Sequence, residues 1–145
     1  MSTINEPGVG TDLAEEHRMV RDLVVRFVER DLMPLEPAVL AREAKGERYA
    51  LTPEEEAPLL AKCKELGLWG LDVPEEFGGA DLPLPALMAI EEEMGRTITP
   101  FIFPPDSPNL HMLLAVANEE QREKYLRPYA TGEARSCIAI SEPGA

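Results

Sequence analysis

Apolar residues recur every three or four positions along most of the chain, and this spacing predicts a protein built mainly from α-helices. The first helix is predicted over about residues 13–31, with Asp12 as its N-cap and charged side chains on the face opposite the apolar one. Pro34 and Pro37 are predicted to end it, and a short helical turn is predicted over residues 38–44. The predicted apolar face consists of Leu13, Val20, Leu23, Val24, Phe27 and Val28.

A second helix has the clearest start signal in the chain. Thr52 is predicted to be its N-cap, Pro53 suits the first helical position, and Glu55 completes a capping box. Gly67 is predicted to end this helix, and an ordered loop with apolar anchors between glycines and prolines is predicted over residues 68–79. The side chains predicted to point inward are Leu59, Leu60, Cys63 and Leu66.

Further helices are predicted in the second half of the chain. One runs from about residue 83 or 85 to Met94, and a loop rich in proline and aromatic residues follows over residues 97–108. Another helix is predicted over residues 109–117, and Asn118 is predicted to cap the next one, with a glutamine three residues on and Gly132 at its end. The apolar stripe predicted for the helix that ends at Met94 consists of Leu84, Leu87, Met88, Ile90 and Met94.

Residues 135–141 follow a different pattern. The run from Ser136 to Ser141 is short, small and apolar, which is typical of a β-strand. No other run in the chain offers a partner strand, and a single strand leaves its backbone groups unpaired. We therefore expect a sheet to begin here, with its other strands supplied either by another chain or by a longer protein of which this sequence is a fragment.

Composition narrows the classes of function. Apolar residues make up 44% of the 145 positions and the net charge is −13, so a phosphate backbone would be repelled and nucleic-acid binding is disfavoured. The longest apolar run, residues 112–117, is too short to cross a bilayer, so no membrane partner is expected. Residues 1–6 have neither a signal-peptide nor a transit-peptide pattern, which makes a cytoplasmic location the default. Cys63 and Cys137 lack metal-ligand spacing and are predicted to be buried, reduced thiols.

Four stretches resemble signature segments of one enzyme family. Residues 65–79 are similar to "LGLxGxxxPEEYGG", residues 91–96 to "EELGR", and residues 119–133 to "TEEQKxxYLPxLxxGE". Residues 139–145 resemble the opening of the flavin-loop signature, in which an aliphatic residue, a serine or threonine and a glutamate precede a Gly-Ser/Thr-Asp. Together they cover about residues 12–145, and the chain is thus identified as similar to the N-terminal helical domain of acyl-CoA dehydrogenases, followed by the start of their flavin-binding β domain.

The resemblance implies a fold and a division of the chain. The expected fold class is mainly α, a helical bundle that ends in the first strand of a β domain missing from this sequence. Residues 1–11 would form a flexible N-terminus, residues 12–134 the helical domain, and residues 135–145 the first strand and truncated flavin loop of the middle β domain. The complete enzyme would be a homo-oligomer, a dimer or a tetramer, with electron-transfer flavoprotein as a possible electron acceptor.

The resemblance also implies an activity. Family members bind FAD and oxidise the Cα–Cβ bond of an acyl-CoA substrate, with a glutamate base that lies later in the chain than Ala145. No catalytic residue and no metal ligand are therefore assigned here. The cofactor-binding residues implied are Ile138, Ile140 and Ser141, and the substrate-binding residues implied are Phe101 and Phe103. Alternatives remain open: the Ser141 hydroxyl could serve the following turn instead, and the two phenylalanines could be core anchors.

One stretch departs from the common family pattern. Residues 104–110 replace the "xxxxSLG" of enzymes for straight-chain fatty acyl groups and look more like the "APDxGNxE" of a subgroup linked to unusual acyl groups. A plain fatty acyl substrate is therefore in doubt. Two other functions remain as alternatives: a flavin-dependent monooxygenase or oxidase of the same fold, and a non-catalytic helical subunit of a larger flavoprotein complex.

Overall fold

The computed structural model describes residues 13–105, 107–137, 139, 141, 142 and 144. The flexible N-terminus predicted for residues 1–11, the cap predicted at Asp12, and the flavin contacts predicted at Ile138 and Ile140 lie outside the described residues.

The described chain is mainly α-helical, which confirms the predicted fold class. Residues 135–137, 139, 141 and 142 have no strand pairing, and no strand is present elsewhere among the described residues. The α-helices are α1 (Glu15–Phe27), α2 (Glu36–Glu43), α3 (Pro53–Leu66), α4 (Leu84–Met94), α5 (Ser107–Val116), α6 (Glu119–Gln121) and α7 (Arg127–Thr131). Two π-helical turns (Val28–Leu32 and Arg122–Leu126) and two 3₁₀ turns (Met33–Leu35 and Glu75–Phe77) complete the helical part.

The chain forms two compact units. The first combines Met1–Leu68 with Leu82–Phe101, and the second combines Trp69–Asp81 with Ile102–Ala145. Each unit has its own cluster of buried apolar side chains.

In the first unit, α1 packs on α4. The face predicted for α1 is confirmed at its centre, because Val24, Phe27 and Val28 are buried. The residues of α4 that are buried include Ala86 and Ala89, and both belong to a cluster with Leu13. Ala86 and Ala89 therefore mark the side of α4 that faces inward.

The apolar stripe predicted for α4 is therefore wrong at two of its positions. Leu84 is 68% exposed and Met88 is 49% exposed, whereas Ile90 is buried as predicted. The periodicity of large apolar residues pointed to one face of the helix, but Ala86 and Ala89 belong to the buried cluster with Leu13. Large apolar side chains alone did not identify the buried face, because alanine is also often fully buried.

The first helix and its π-helical extension end at Leu32, just before Pro34, as predicted, but further helical turns follow directly. The helical path continues from α1 through the first π turn and a 3₁₀ turn into α2. Each proline stands in the first turn of a new helical element, where an N–H is not required by the hydrogen-bond pattern. The residue that precedes α1 is Ala14, which makes no side-chain cap, so the helix does not begin directly after Asp12.

The capping box predicted at the start of α3 is confirmed. The Glu55 N–H donates to Thr52 Oγ1 at 3.3 Å, and the Thr52 N–H donates to Glu55 Oε2 at 2.9 Å. The Arg42 guanidinium donates to both carboxylate oxygens of Glu55, at 3.0 and 2.8 Å. The hydrogen bonds from Arg42 and from the Thr52 backbone hold the pKa of Glu55 below its usual range. Gly67 ends the helix in the left-handed conformation, with φ of 71°.

Glu55→Gln is expected to reveal this charge as a pH-dependent loss of stability. Glutamine preserves the capping box, so the variant removes only the charge that faces Arg42. Because the folded-state pKa lies below the unfolded value, the stabilisation is present above about pH 4.5 and is lost as pH falls through the folded pKa. Urea denaturation should show Glu55→Gln less stable by about 1 kcal/mol at pH 7, with the difference shrinking as pH falls from about 4.5 through the lowered folded-state pKa. A difference that stays constant with pH would contradict this account.

In the second unit, the glycine-rich loop over residues 69–81 packs on α5 and on the helical turns that follow it. The predicted loop anchors Val73 and Phe77 are buried in one cluster with four residues of these helices, which confirms an ordered loop. The loop closes on itself through backbone bonds, since the Ala80 N–H donates to Gly70 O at 2.9 Å and the Asp81 N–H donates to Val73 O at 2.9 Å. The helical members of the cluster are Leu110, Leu126, Tyr129 and Ala130.

The predicted cap at Asn118 is confirmed as well. Asn118 Oδ1 accepts the N–H of Gln121 at 2.9 Å, and Gln121 Oε1 accepts the N–H of Asn118 at 2.9 Å. The Arg122 guanidinium then donates to two carbonyls near the end of α5, those of Leu114 and Ala117, both at 3.2 Å. The turn between α5 and α6 is thus held by short-range bonds from both sides.

The two cysteines differ in their surroundings, and the prediction that both are buried is wrong for one of them. Cys63 lies in α3 and is fully buried, whereas Cys137 is exposed; both thiols are free. Burial, together with the negative charge of Asp31, raises the pKa of Cys63 to about 12. In the sequence, both cysteines have apolar neighbours, but only the fold determines that Cys63 is covered and Cys137 is exposed.

This difference predicts selective alkylation of the 145-residue chain. Iodoacetamide at pH 8 should modify one thiol per folded chain and two per chain in denaturant, because the thiolate is the reactive form and Cys63 is both buried and protonated. Mass spectrometry of the labelled chain counts the adducts. Cys137→Ser should reduce the count in the folded chain to none, and a second adduct in the native state would contradict the burial of Cys63.

Candidate functional site

The candidate site is the stretch that follows α7, residues 133–142, called here the 133–142 segment. Its described residues have no regular secondary structure, and residues 133–137, 139, 141 and 142 are exposed. Ser141, the predicted flavin contact, is among the exposed residues. Because no strand or helix fixes the backbone of this segment, its position depends on the side chains that hold it.

The first point of attachment is at Gly132, immediately before the segment. Gly132 has φ of +82°, and a Cβ at this position would lie 2.2 Å from Cζ2 of Trp69. The indole Nε1 of Trp69 donates to the carbonyl of Ala130 at 2.8 Å. The N–H of Ala134 donates to Pro128 O at 2.9 Å, so the chain leaves α7 in a tight, bonded turn. Trp69 therefore fixes the direction in which the segment starts.

The second point of attachment is at Ser136. Asn109, in the first turns of α5, donates through Nδ2 to Ser136 Oγ at 2.7 Å. Asn109 is only 3% exposed. A buried amide that loses its partner costs about 1–3 kcal/mol, so this bond is strongly favoured once the amide is buried. Sequence reasoning missed Asn109, and the one signal for it was the resemblance of residues 104–110 to "APDxGNxE", which has an asparagine at this position.

An open cavity of about 280 Å³ lies between α5, the second π turn and the 133–142 segment. Its lining includes two tyrosine rings and two cationic side chains, beside the buried amide of Asn109. The lining residues that matter for the segment are Asn109, Leu113, Tyr125, Tyr129, Arg135 and Ser136. The cavity makes Ser136 accessible on one side while the amide holds it on the other.

Two side-chain contacts connect the glycine-rich loop to the helices of the second unit. His111 Nε2 lies 3.2 Å from Asp72 Oδ2, and the Asp72 side chain is only 10% exposed. The Arg127 guanidinium lies over the Phe77 ring at 5.3 Å from its centroid and donates to the Glu123 carboxylate. The hydrogen bond from Arg127 lowers the pKa of Glu123. Asp72 is distant in sequence from His111, and Phe77 is distant from Arg127, so no local sequence pattern predicted these contacts.

The two phenylalanines predicted to bind substrate fall in different units. Phe101 belongs to the first unit, where its ring packs on Phe27 with centroids 5.6 Å apart at 53°. Phe103 belongs to the second unit. Each is 8% exposed. Thr99, close to Phe101, is also buried, and its hydroxyl donates to Leu32 O at the end of the first π turn at 2.8 Å. Phe101 thus has a structural role in the described chain, and the substrate role of both residues stays a prediction.

The described residues contain neither a candidate metal site nor a candidate membrane-spanning helix. Within the part of the chain that the structure describes, no group of three or more histidine, cysteine or acidic side chains could hold a metal ion. The same part contains no helix that is long and apolar enough to span a membrane.

Comparison with known proteins identifies the family. Residues 14–133 match the profile of the acyl-CoA dehydrogenase N-terminal domain. The chain belongs to the acyl-CoA dehydrogenase family. The resemblance found in the sequence segments is thereby confirmed, and the helical architecture of the described residues is that of the N-terminal domain of this family.

Individual acyl-CoA dehydrogenase relatives are moderately similar to the chain. The (R)-benzylsuccinyl-CoA dehydrogenase of Thauera aromatica is 38% identical over 141 residues, covering 92% of this chain and 35% of the relative. The 3-(aryl)acrylate reductase of Clostridium sporogenes is 32% identical over 134 residues, covering 90% of this chain and 33% of the relative. The crystal structure of an acyl-CoA dehydrogenase from Geobacillus kaustophilus is 25% identical, with a TM-score of 0.63, and covers 94% of this chain and 34% of that chain.

The chain spans about a third of the length of these relatives. The match therefore concerns the N-terminal domain of acyl-CoA dehydrogenases, and the 133–142 segment begins where the matched residues end.

Proposed function

We propose that this chain is the N-terminal part of an FAD-dependent acyl-CoA dehydrogenase that oxidises the Cα–Cβ bond of an acyl-CoA thioester. The observation that carries the proposal is the 133–142 segment, which follows the family match at residues 14–133 and holds Ser141 exposed. In this proposal, Phe101 and Phe103 contribute to the wall of the acyl pocket. In this proposal, no residue of this chain acts as the base for the α-proton, and another part of the complete protein supplies it.

The residues of the segment fit a flavin. Ala139 is small and Ser141 carries a hydroxyl, and both are exposed on a backbone without regular structure. An exposed hydroxyl can hydrogen-bond a polar atom at the edge of a planar ring. In this proposal, Ile138 and Ile140 also contact the flavin. When bound, FAD supplies the acceptor for the hydride that leaves the β-carbon. The part of this chain is to bind and orient that ring and to close one side of the acyl pocket.

The test uses the complete gene product that contains this chain. We expect stoichiometric FAD by absorbance, and anaerobic bleaching of the flavin by an acyl-CoA without any added reductase. Bleaching that requires a separate flavin reductase would indicate a monooxygenase of the same fold. A complete protein without flavin would indicate a helical subunit of another flavoprotein and would overturn the proposal.

Ser141→Ala is expected to weaken the contact with the flavin in the complete protein. Loss of one hydrogen bond should raise the dissociation constant for FAD, or slow flavin reduction, by about 10-fold. Titration of the apoprotein with FAD and stopped-flow reduction measure the two effects. Ser141→Thr, which keeps the hydroxyl, is the matched control and should resemble the wild type. Equal behaviour of Ser141→Ala and the wild type would leave the hydroxyl with the structural role of serving the following turn.

We also propose that the acyl group carries an aromatic ring. The names of two relatives, at 38% and 32% identity, refer to benzylsuccinyl-CoA and to 3-(aryl)acrylate. The departure of residues 104–110 from the pattern of straight-chain enzymes supports the same direction. A panel of acyl-CoA thioesters should show a higher kcat/KM for 3-phenylpropionyl-CoA than for butyryl-CoA or hexanoyl-CoA. The reverse order would contradict an aromatic acyl group and would indicate a plain fatty acyl substrate.

Homo-oligomeric assembly, electron transfer to an electron-transfer flavoprotein and the cytoplasmic location remain predictions from the sequence. Size-exclusion chromatography with light scattering of the complete protein addresses the first, and reduction of purified electron-transfer flavoprotein under anaerobic turnover addresses the second.

A further inference from the structure

The described residues of the 133–142 segment have no regular secondary structure, yet the proposed flavin contact at Ser141 needs a defined position. Two side chains from outside the segment provide attachment points in the second unit. Trp69 fixes the chain at Gly132, as shown by the 2.2 Å approach of a Cβ built there and the indole bond to Ala130. Asn109 fixes Ser136 by the bond of 2.7 Å. The attachment at Gly132 determines where the segment starts, and the attachment at Ser136 determines the direction in which it continues.

Asn109 is the more informative of the two, because of where it lies. It is in α5, the helix that begins at Ser107 and follows the stretch with Phe103. The buried amide gives the bond a fixed direction, since a side chain that is 3% exposed has little freedom to reorient. The helix α5 therefore carries the residue that anchors the flavin segment. The residues just before α5 include Phe103, which is proposed to form part of the acyl-pocket wall.

We infer that Asn109 is a positioning residue for the flavin contact, acting through Ser136. The inference rests on the proposed function. Ser141 lies five residues after Ser136, and five residues span at most about 18 Å, so fixing Ser136 limits where Ser141 can lie. Asn109 itself does not touch the reacting atoms. Its role is to hold the hydroxyl of Ser141 in place against the ring.

The test compares four variants of the complete gene product. Asn109→Leu has nearly the same shape but no amide, and Ser136→Ala removes the acceptor. Ser136→Thr keeps the hydroxyl and serves as the conservative rescue. Asn118→Ala removes the cap of α6 without touching the segment, and therefore controls for a general loss of stability. Two readouts are taken: hydrogen exchange of peptides covering residues 134–142, and the rate of flavin reduction by acyl-CoA with its KM.

Asn109→Leu and Ser136→Ala should each accelerate hydrogen exchange in residues 134–142. Each should also slow flavin reduction by about 10-fold, with KM for the acyl-CoA changed less than 2-fold, because misplacement of a group costs rate more than binding. The double variant should be no slower than either single variant, since both remove one interaction. Ser136→Thr and Asn118→Ala should reduce the flavin at the wild-type rate.

The outcomes separate the inference from the function on which it rests. Unchanged hydrogen exchange in Asn109→Leu would overturn the attachment itself, whether or not flavin is bound. Faster exchange with an unchanged rate of flavin reduction would overturn the positioning role while leaving the proposed function intact. A wild-type protein that contains no FAD would overturn the proposed function first, and the positioning role with it.

Discussion

Gly132→Ala is expected to destabilise the protein by about 3 kcal/mol, because a methyl group at this position meets an aromatic ring in a backbone conformation that disfavours any side chain. The φ of +82° alone costs about 1 kcal/mol for alanine relative to glycine. The remainder comes from the 2.2 Å approach to Cζ2 of Trp69, whose indole is held by its bond to Ala130 and cannot rotate away without losing it.

Gly67→Ala is the matched control for this change. Gly67 ends α3 as Gly132 ends α7, and its φ of +71° is similar, but nothing lies within 4 Å of a Cβ built there. It should therefore cost only the conformational part, about 1 kcal/mol. The difference between the two variants isolates the contact with Trp69.

The measurement benefits from the single tryptophan of the chain. Urea denaturation followed by Trp69 fluorescence reports unfolding at the site of the change. We expect a lower midpoint for Gly132→Ala than for Gly67→Ala, together with a red-shifted emission in the folded state as the indole is displaced. Equal midpoints for the two variants would show that the indole moves aside freely, and Trp69 would then not fix the start of the 133–142 segment.

The second large effect is expected at Gly79. A Cβ there would lie 2.0 Å from the carbonyl oxygen of Val73 and 2.5 Å from its carbonyl carbon. These are backbone atoms, so no rotamer change can relieve the overlap, and the loop over residues 69–81 must open. Gly79→Ala is therefore expected to destabilise the protein by about 3 kcal/mol or more.

The neighbouring Gly78 provides the control. Gly78 has φ of +86° with nothing within 4 Å, so Gly78→Ala should cost about 1 kcal/mol from conformation alone. Thermal and urea unfolding of both variants give the comparison. Hydrogen exchange of the loop should rise in Gly79→Ala, because the Asp81 N–H loses its acceptor at Val73 O. A smaller effect at Gly79 than at Gly78 would mean that the loop tolerates opening.

The two glycines explain in physical terms why a Gly-Gly pair stands at the end of the loop. The first allows a left-handed turn after the 3₁₀ turn Glu75–Phe77, and the second lets the chain pass over the carbonyl of Val73. Both conditions place Phe77 in the core beside α5 and α7, where Arg127 covers its ring. The resemblance to "PEEYGG" at this position thus reflects packing of the loop as well as family membership.

Much of the local structure follows from the sequence. The capping boxes at Thr52 and Asn118 and the glycine stops at Gly67 and Gly132 are found where they are predicted, because the atoms involved lie within a few residues of one another. The family also follows from the sequence, since its signature segments combine turn residues and helix ends in a fixed order. The predicted fold class and family are confirmed in addition to these local elements.

Tertiary structure decided what depends on neighbours distant in the chain. It buried Ala86 and Ala89 and left Leu84 and Met88 exposed, because the side of α4 that is covered depends on residues distant in the chain. It carried the helical path past Pro34 by starting a new element there, and it covered Cys63 but not Cys137.

The candidate site divides in the same way. The sequence indicated Ser141 through its motif, which is read from adjacent residues. The attachments of the 133–142 segment, Asn109 to Ser136 and Trp69 to Ala130, join residues far apart in sequence. A hydrogen bond between distant side chains leaves no periodic pattern in the chain, because it depends on where packing brings the two groups. The family and the local elements therefore follow from patterns within the sequence, whereas the attachments that hold the segment depend on tertiary packing.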